Sequence, residues 1–245
     1  MLRPAGTPTP IESSSPQHMV ETINEALVKG LPATAHSRPG LRLSWATKRA
    51  LDATIALTAL CLLLPLLLFI ALLIWGNDGR SPIFRHTRLG RYGRPFSCLK
   101  FRTMVPDGDA VLAQHLATNA QARAEWEATY KLTHDPRVTA LGHVLRKTSL
   151  DELPQLWNVL RGEMSLVGPR PIVQAEVVRY GADFATCFSV PPGLTGLWQV
   201  SGRSDTGYAE RVALDCAYAS RWTLSRDLVI LLKTVPAVLS QRGSR

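Results

Sequence analysis

ATIALTALCLLLPLLLFIALLIW, residues 53–75, decides the architecture. No charged side chain occurs from Ala53 to Asn77. A straight helix of this length, at about 1.5 Å per residue, reaches roughly 35 Å and covers a hydrocarbon core of about 30 Å. Two features complicate a single span. Pro65 lies in the middle of the run, where it removes a backbone hydrogen bond and kinks a helix. Basic residues flank both ends: Arg42, Lys48 and Arg49 before, then Arg80, Arg85, Arg88, Arg91 and Arg94 after. Positive charge at both ends favours holding both on the cytoplasmic side. A helix that enters, breaks at Pro65 and leaves by the same face satisfies both features. A proline-kinked span remains the alternative, because such spans are tolerated in membranes.

Outward from this run the chain changes character. Residues 1–44 are rich in Pro, Ser and Thr and read as a flexible leader, with one short helical pattern around Val20–Val28. No apolar core follows the first basic residue, so the leader does not read as a secretory signal. Residues 45–78 form the membrane-embedded segment, and 79–245 a catalytic or binding domain of soluble composition. Within it, SPIFRHTRLGRYGRPFSCLKFRTM (81–104) alternates apolar and basic residues around Gly90 and Gly93, as two strands joined by a turn do. Helical periodicity follows over 109–130, again from Asp135-Pro136, and over 150–160. PPGLTGLWQVSGR (191–203) reads as loop, and 224–239 as a core or interfacial helix. The expected fold is mixed α/β, mainly helical.

The formal net charge of +9 directs the 245-residue chain toward anionic partners, whether nucleic acid, acidic lipid or phosphorylated substrate. Nucleic acid fits poorly, because the basic residues do not interleave with aromatics as a binding strip would. Neither a Walker loop nor a GxGxxG fingerprint occurs. Cys61, Cys98, Cys187 and Cys216 are scattered, which suits neither a disulfide framework nor a zinc site and points to a reducing compartment. His86, His134 and His143 are dispersed and read as structural or surface residues.

The chemistry concentrates in RKTSLDELPQLWNVLRGEMSLVGPRP, residues 146–171. Asp151 and Glu152 stand between Arg146, Lys147, Arg161 and Arg170. Ser149 and Glu152 have capping-box spacing, so a helix is expected to start near Asp151, with Pro154 in its first turn. Its dipole and Arg146 would favour ionised carboxylates. An ionised aspartate can attack phosphorus or hold a divalent metal; a plain solvated helix cap explains an isolated Asp-Glu pair equally well. Lys100, Arg102, Arg170 and Arg203 sit in apolar or Gly/Pro settings and are candidate phosphate ligands. Each is also an ordinary loop residue when taken alone. Glu163 and Asp205 are either second acids or surface charges, and Trp198 reads as packing.

The ordered set KRALD (48–52), CLKFRTM (98–104), DPRVTALGHVLRKTSLDELPQLWNVLRGEMSLVGPRPIV (135–173), PGLTGLWQVSGR (192–203) and DLVILLKTV (227–235) resembles the bacterial sugar transferase family over residues 45–245. These are monotopic polyprenyl-phosphate hexose-1-phosphate transferases. ARAEW (122–126) and KTVPAVLSQRGS (233–244) resemble the short exopolysaccharide-initiating galactose phosphotransferases in particular. The resemblance implies Asp151 as the nucleophile and magnesium ligand, Glu152 as its catalytic neighbour, and Arg146 and Arg170 as phosphate ligands. It places Lys100 and Arg102 in the KFRTM motif and Arg203 in the second Gly-rich motif. It also implies Mg²⁺, a UDP-sugar (galactose favoured over glucose), undecaprenyl phosphate and the bacterial inner membrane, with the domain facing the cytoplasm. The family breaks its re-entrant helix at a Ser-Pro pair; here the pair is Leu64-Pro65. Two other classes remain open on the residues: a membrane-tethered basic binding protein, and an assembly partner without catalysis. Oligomeric state stays open, a homodimer included.

Overall fold

A computed structural model describes residues 39–129, 132–201 and 207–239. Arg203, Asp205 and the short helix expected near residue 20 lie outside the described residues. Helix α1, Pro39–Asp78, is 40 residues long and runs through Pro65. It starts within the stretch expected as leader. Its Ser44–Asp78 portion is, by length and composition alone, long and apolar enough to cross a membrane.

An antiparallel hairpin follows, β1 (Ile83–Leu89) and β2 (Pro95–Phe101), with Ile83 opposite Phe101 and Leu89 opposite Pro95. Its turn uses left-handed Tyr92 and Gly93, at φ 57° and 70°. The single helix expected over 109–130 is two, α2 (Gly108–Thr118) and α3 (Ala120–Thr129), separated by the extended Asn119. Asn119 restarts the chain by accepting from the Ala122 N–H at 3.0 Å. Helix α4 (Ala140–Thr148) begins later than Asp135-Pro136, at Thr139, whose hydroxyl accepts from the Gly142 N–H at 2.9 Å.

Next come α5 (Gln155–Arg161), β3 (Ser165–Val167), and the short helices α6 (Val177–Tyr180) and α7 (Phe184–Cys187). Residues 191–203, expected as loop, contain β4 (Gly193–Thr195) and α8 (Leu197–Ser201). β4 pairs in parallel with β3, Ser165 opposite Gly193 and Val167 opposite Thr195. The two strands approach so closely that a Cβ on Gly193 would stand 2.0 Å from the Gly168 nitrogen. Glycine richness there therefore reflects backbone contact rather than a free loop. Helices α9 (Tyr208–Ser220) and α10 (Leu224–Leu239) close the described chain.

α1 packs lengthwise on this domain. Ala56, Leu60 and Leu63 join a core that includes Leu156, Val167 and Ile230. Leu67, Ile70 and Ile74 join a second core with Phe101 and Leu145. These positions recur at helical spacing along one face. The opposite face leaves Leu62, Leu68, Phe69 and Leu72 exposed.

The amino-terminal half is also pinned by charge. Lys48 Nζ donates to Asp227 Oδ2 at 2.5 Å and to the Val167 carbonyl at 3.3 Å, and stands 3.6 Å from Asp52 Oδ2. Asp227 accepts in addition from Tyr218 Oη at 2.7 Å and Trp222 Nε1 at 3.1 Å. A buried lysine thus meets a buried carboxylate whose remaining lone pairs are satisfied.

A third core, with Val177, Phe184 and Phe188, holds α6 and α7 against α9. There Cys187 and Cys216 are joined as a disulfide, with Cα atoms 4.5 Å apart. This corrects the expectation of four unpaired thiols: packing of α7 on α9 brings together cysteines distant in sequence. Cys61 and Cys98 are free.

Candidate active site

Asp151 and Glu152 lie in a 3₁₀ turn, Leu150–Glu152, between α4 and α5. The expected capping box does not form. Ser149 takes the left-handed conformation, φ 59°, that ends α4, and its side chain caps nothing. Pro154, not Ser149, precedes the first residue of α5. The turn still serves the acids, because leucines on both sides anchor it: Leu150 packs with Leu145, and Leu153 against the core at Leu156.

The register of the hairpin explains which cation meets these acids. Phe84 pairs with Lys100, His86 with Cys98 and Arg88 with Phe96. Paired residues project from the same sheet face, so Lys100, Cys98, His86 and Arg88 share one side. Lys100 Nζ donates to Glu152 Oε1 at 2.6 Å and lies 3.7 Å from Asp151 Oδ2. Asn158, buried at the foot of α5, fixes this strand. It accepts from the Leu99 N–H at 3.0 Å and donates to the Ser97 carbonyl at 2.7 Å. Its amide also donates to Glu163 Oε2 at 2.7 Å, and Arg161 pairs with Glu163 at 3.2 Å. Glu163 therefore supports the strand anchor and is not a second acid of the site.

Arg170 approaches from the β3 side, with Nη1 4.0 Å from Glu152 Oε1. Arg146 Nε donates to Thr103 Oγ1 at 2.9 Å, and the Arg146 charge is felt at Asp151. Gly142 permits this arrangement: a Cβ there would lie 2.1 Å from the Thr103 carbonyl oxygen, so only glycine lets α4 rest on the KFRTM segment. Arg102 turns away from the acids. It forms a two-pronged pair with Asp78 at the end of α1, its Nη2 2.6 Å from Oδ1, and its Nε donates to the Ser81 carbonyl at 2.9 Å. Of the sequence candidates, Lys100, Arg146, Arg170, Asp151 and Glu152 converge, while Arg102, just after β2, ties that segment to the end of α1.

The two carboxyls differ electrostatically. Burial pushes Asp151 above the usual carboxylate range; Lys100 and Arg146 pull back, and the neighbouring Glu152 adds to the rise. Arg146 favours the ionised Asp151 as the sequence suggests, and burial, which the sequence does not show, outweighs it. Burial also acts to raise Glu152, but Lys100 and Arg170 outweigh it, and Glu152 is held below its ordinary value. The dyad thus pairs an aspartate shifted up by burial with a glutamate shifted down by its cations.

A cleft beside the dyad is lined by Arg88, Lys100, Glu152, Gln155, Arg170 and Gln199, among others. Arg88, Gln155 and Gln199 were not singled out by sequence reasoning; for Arg88 the strand alternation it shares with Lys100 was the available signal. Behind Arg170 lies a second polar layer. Trp198 stands under both Arg170 and Arg211, at 5.9 and 5.0 Å from the ring centroid. Asp215, fully buried, accepts from Tyr180 Oη at 3.0 Å, and burial pushes its carboxyl up to about 7.

Among the described residues no group of three or more His, Cys, Asp or Glu side chains is arranged for a metal ion. Asp151 and Glu152 are the carboxylates at this site that could hold a divalent cation.

The bacterial sugar transferase family model matches residues 43–241. The chain is 53% identical over 197 residues to an exopolysaccharide production protein ExoY of Rhizobium meliloti, covering 80% of this chain and 87% of that protein. It is 52% identical over 197 residues to a UDP-galactose-lipid carrier transferase of Erwinia amylovora, and 49% identical over 197 residues to an undecaprenyl-phosphate galactose phosphotransferase of Salmonella typhimurium. Those two alignments cover 80% of this chain but 41% of each relative, so this chain spans about two-fifths of their length. A family match over residues 43–241, most of the chain, places this protein in the bacterial sugar transferase family.

Proposed function

We propose that the protein transfers hexose 1-phosphate from a UDP-sugar to undecaprenyl phosphate, releasing UMP, as the first step of exopolysaccharide repeat-unit synthesis. The observation that carries this reading is Asp151, buried beside Glu152, with Lys100 and Arg146 acting on it and Arg170 facing Glu152. The names of the Erwinia and Salmonella relatives favour galactose.

In the first half-reaction an Asp151 carboxylate oxygen attacks the sugar-bearing phosphorus. An aspartyl–phosphorus bond forms, the bond to the bridging oxygen breaks, and that oxygen leaves with its electron pair as part of UMP. In the second, a phosphate oxygen of undecaprenyl phosphate attacks the same phosphorus and displaces the Asp151 carboxylate. Lys100 and Arg146 supply the positive charge that lets a desolvated Asp151 ionise. Arg170 is placed to bind a phosphoryl oxygen, and Glu152, already ionised, keeps Lys100 oriented. Asp151, with Glu152, would hold Mg²⁺, which when bound neutralises diphosphate charge and helps UMP leave.

The membrane reading rests on α1 and α10. A helix packed along one face of a polar domain for most of its length cannot also stand upright across a bilayer without drawing that domain in. This and the basic residues at both ends support re-entrant insertion from the cytoplasmic side of the inner membrane; α1 stays helical through Pro65, so the expected break there is not what returns the chain. On α10, Leu228, Leu232 and Val235 are exposed along one face while Asp227 and Ile230 are buried on the other, as expected of an interfacial helix. The test is UMP release from UDP-galactose by membranes containing the protein, with undecaprenyl phosphate and Mg²⁺. Asp151→Asn is expected to abolish it; full activity in that variant would refute the covalent route.

A further inference from the structure

The lining of the cleft beside the dyad includes one cation that the proposed reaction leaves without a role, Arg88. The lining includes three cations, Arg88, Lys100 and Arg170, and one acid, Glu152. Arg88 and Arg170 thus present two guanidinium groups to one cleft, an arrangement suited to an anion.

Arg88 is held in place from behind. Its Nη1 lies 3.6 Å from Glu176 Oε2 and 3.5 Å from the Pro171 carbonyl, and its Nη2 lies 3.1 Å from His86 Nδ1. Arginine only donates, so His86 must accept through Nδ1 and is neutral in this arrangement. Glu176 is not a dedicated partner. It also faces Arg211 Nη1 at 3.8 Å and accepts from the Val173 N–H at 3.0 Å and Tyr208 Oη at 3.4 Å. One carboxylate is thus divided between two arginines. These contacts are long or shared, and a guanidinium has five N–H donors, so Arg88 retains capacity to donate into the cleft. The Pro171 contact matters for placement: it ties Arg88 to the residue next to Arg170. The two guanidinium groups feel each other's charge and face the same cleft.

We infer that Arg88 is a substrate-binding residue that, with Arg170, forms a two-arginine clamp for the phosphoryl group of the donor that leaves as part of UMP. The inference rests on the proposed reaction for the identity of the donor. A two-arginine clamp beside a lysine offers several donors to one phosphoryl group, whereas Lys100 alone is a point charge already committed to Glu152.

The experiment compares the full chain in detergent with Arg88→Met and Arg88→Lys, using UMP as the binding probe and UDP-galactose turnover as the second readout. Arg88→Met is expected to weaken UMP binding at least tenfold and to raise KM for the donor by a similar factor, with thermal unfolding little changed. Arg88→Lys is expected to fall between, because it restores charge without the fork, and it decides the matter if Arg88→Met does not fold. UMP binding within twofold of wild type in folded Arg88→Met, or in Arg88→Lys where Arg88→Met does not fold, overturns the clamp, as does a wild type that binds no UMP. If wild type binds UMP and Arg88→Met does not, yet no variant turns over, the clamp stands and the proposed reaction fails.

Discussion

Replacing Lys100 by Met removes the one ammonium that touches both carboxyls. Its Nζ is 2.6 Å from Glu152 Oε1 and 3.7 Å from Asp151 Oδ2, and Lys100 and Glu152 are each a quarter exposed at the side chain. A hydrogen bond to a charged group contributes about 1.5–3 kcal/mol, and a fully buried pair broken on one side costs about 3–5 kcal/mol. Partial exposure puts this site at the lower end, so a loss of about 1–3 kcal/mol in stability is expected at neutral pH. The catalytic effect is larger, because the negative charge left on Glu152 now opposes ionisation of Asp151 and repels the diphosphate. Loss of one donor aimed at developing charge typically lowers kcat by about 10²–10³. The pH profile separates this from simple unfolding. Lys100 is the leading charge that lowers both carboxyls, against burial, which raises them. Without it both rise, so the acidic limb of kcat/KM for UMP release moves to higher pH in Lys100→Met. A kcat/KM within threefold of wild type, with an unmoved acidic limb, would refute this account of the dyad.

Three further perturbations test the frame around the site. Lys48→Met leaves Asp227 buried without its cation and is expected to cost about 3–5 kcal/mol, seen as a lower midpoint in thermal unfolding; Lys48→Met/Asp227→Leu together should recover part of it. Gly142→Ala drives a Cβ into the Thr103 carbonyl, which costs about 1–3 kcal/mol and shifts α4 with Arg146, so donor turnover should fall more than stability does. Asp215 has a folded pKa raised from 3.8 to about 7, so the folded state binds the extra proton between these values and stability declines as pH rises across that window. Asp215→Asn should flatten the fall in unfolding midpoint from pH 4 to 7.

What was legible in the sequence follows from range. The hairpin around Gly90 and Gly93 and the apolar helix are local patterns, and both are present. Convergence of Lys100, Arg146 and Arg170 on Asp151 and Glu152 was legible through the ordered motifs that carry the family resemblance, not through periodicity. The short parallel pair β3–β4 was hidden, because three-residue strands joined across a long connection leave no alternation to read. The capping box had the right residues, but tertiary packing of Leu150 and Leu153 fixed the turn and put Ser149 in a left-handed conformation. The charge of Arg146 at Asp151 was legible, but burial, a property of the whole fold, was not, and it outweighs the local charges. Arg102 and Lys100 share a motif, yet the strand ends between them and Arg102 swings to Asp78.

The covalent step is the central claim. The protein is mixed with labelled UDP-galactose and Mg²⁺ in the absence of undecaprenyl phosphate, quenched, and measured by intact mass and peptide mapping. The account predicts a burst of at most one UMP per chain and one hexose phosphate attached at Asp151. UMP formation that strictly requires both substrates, with no label on the protein, or a label on another residue, would contradict it.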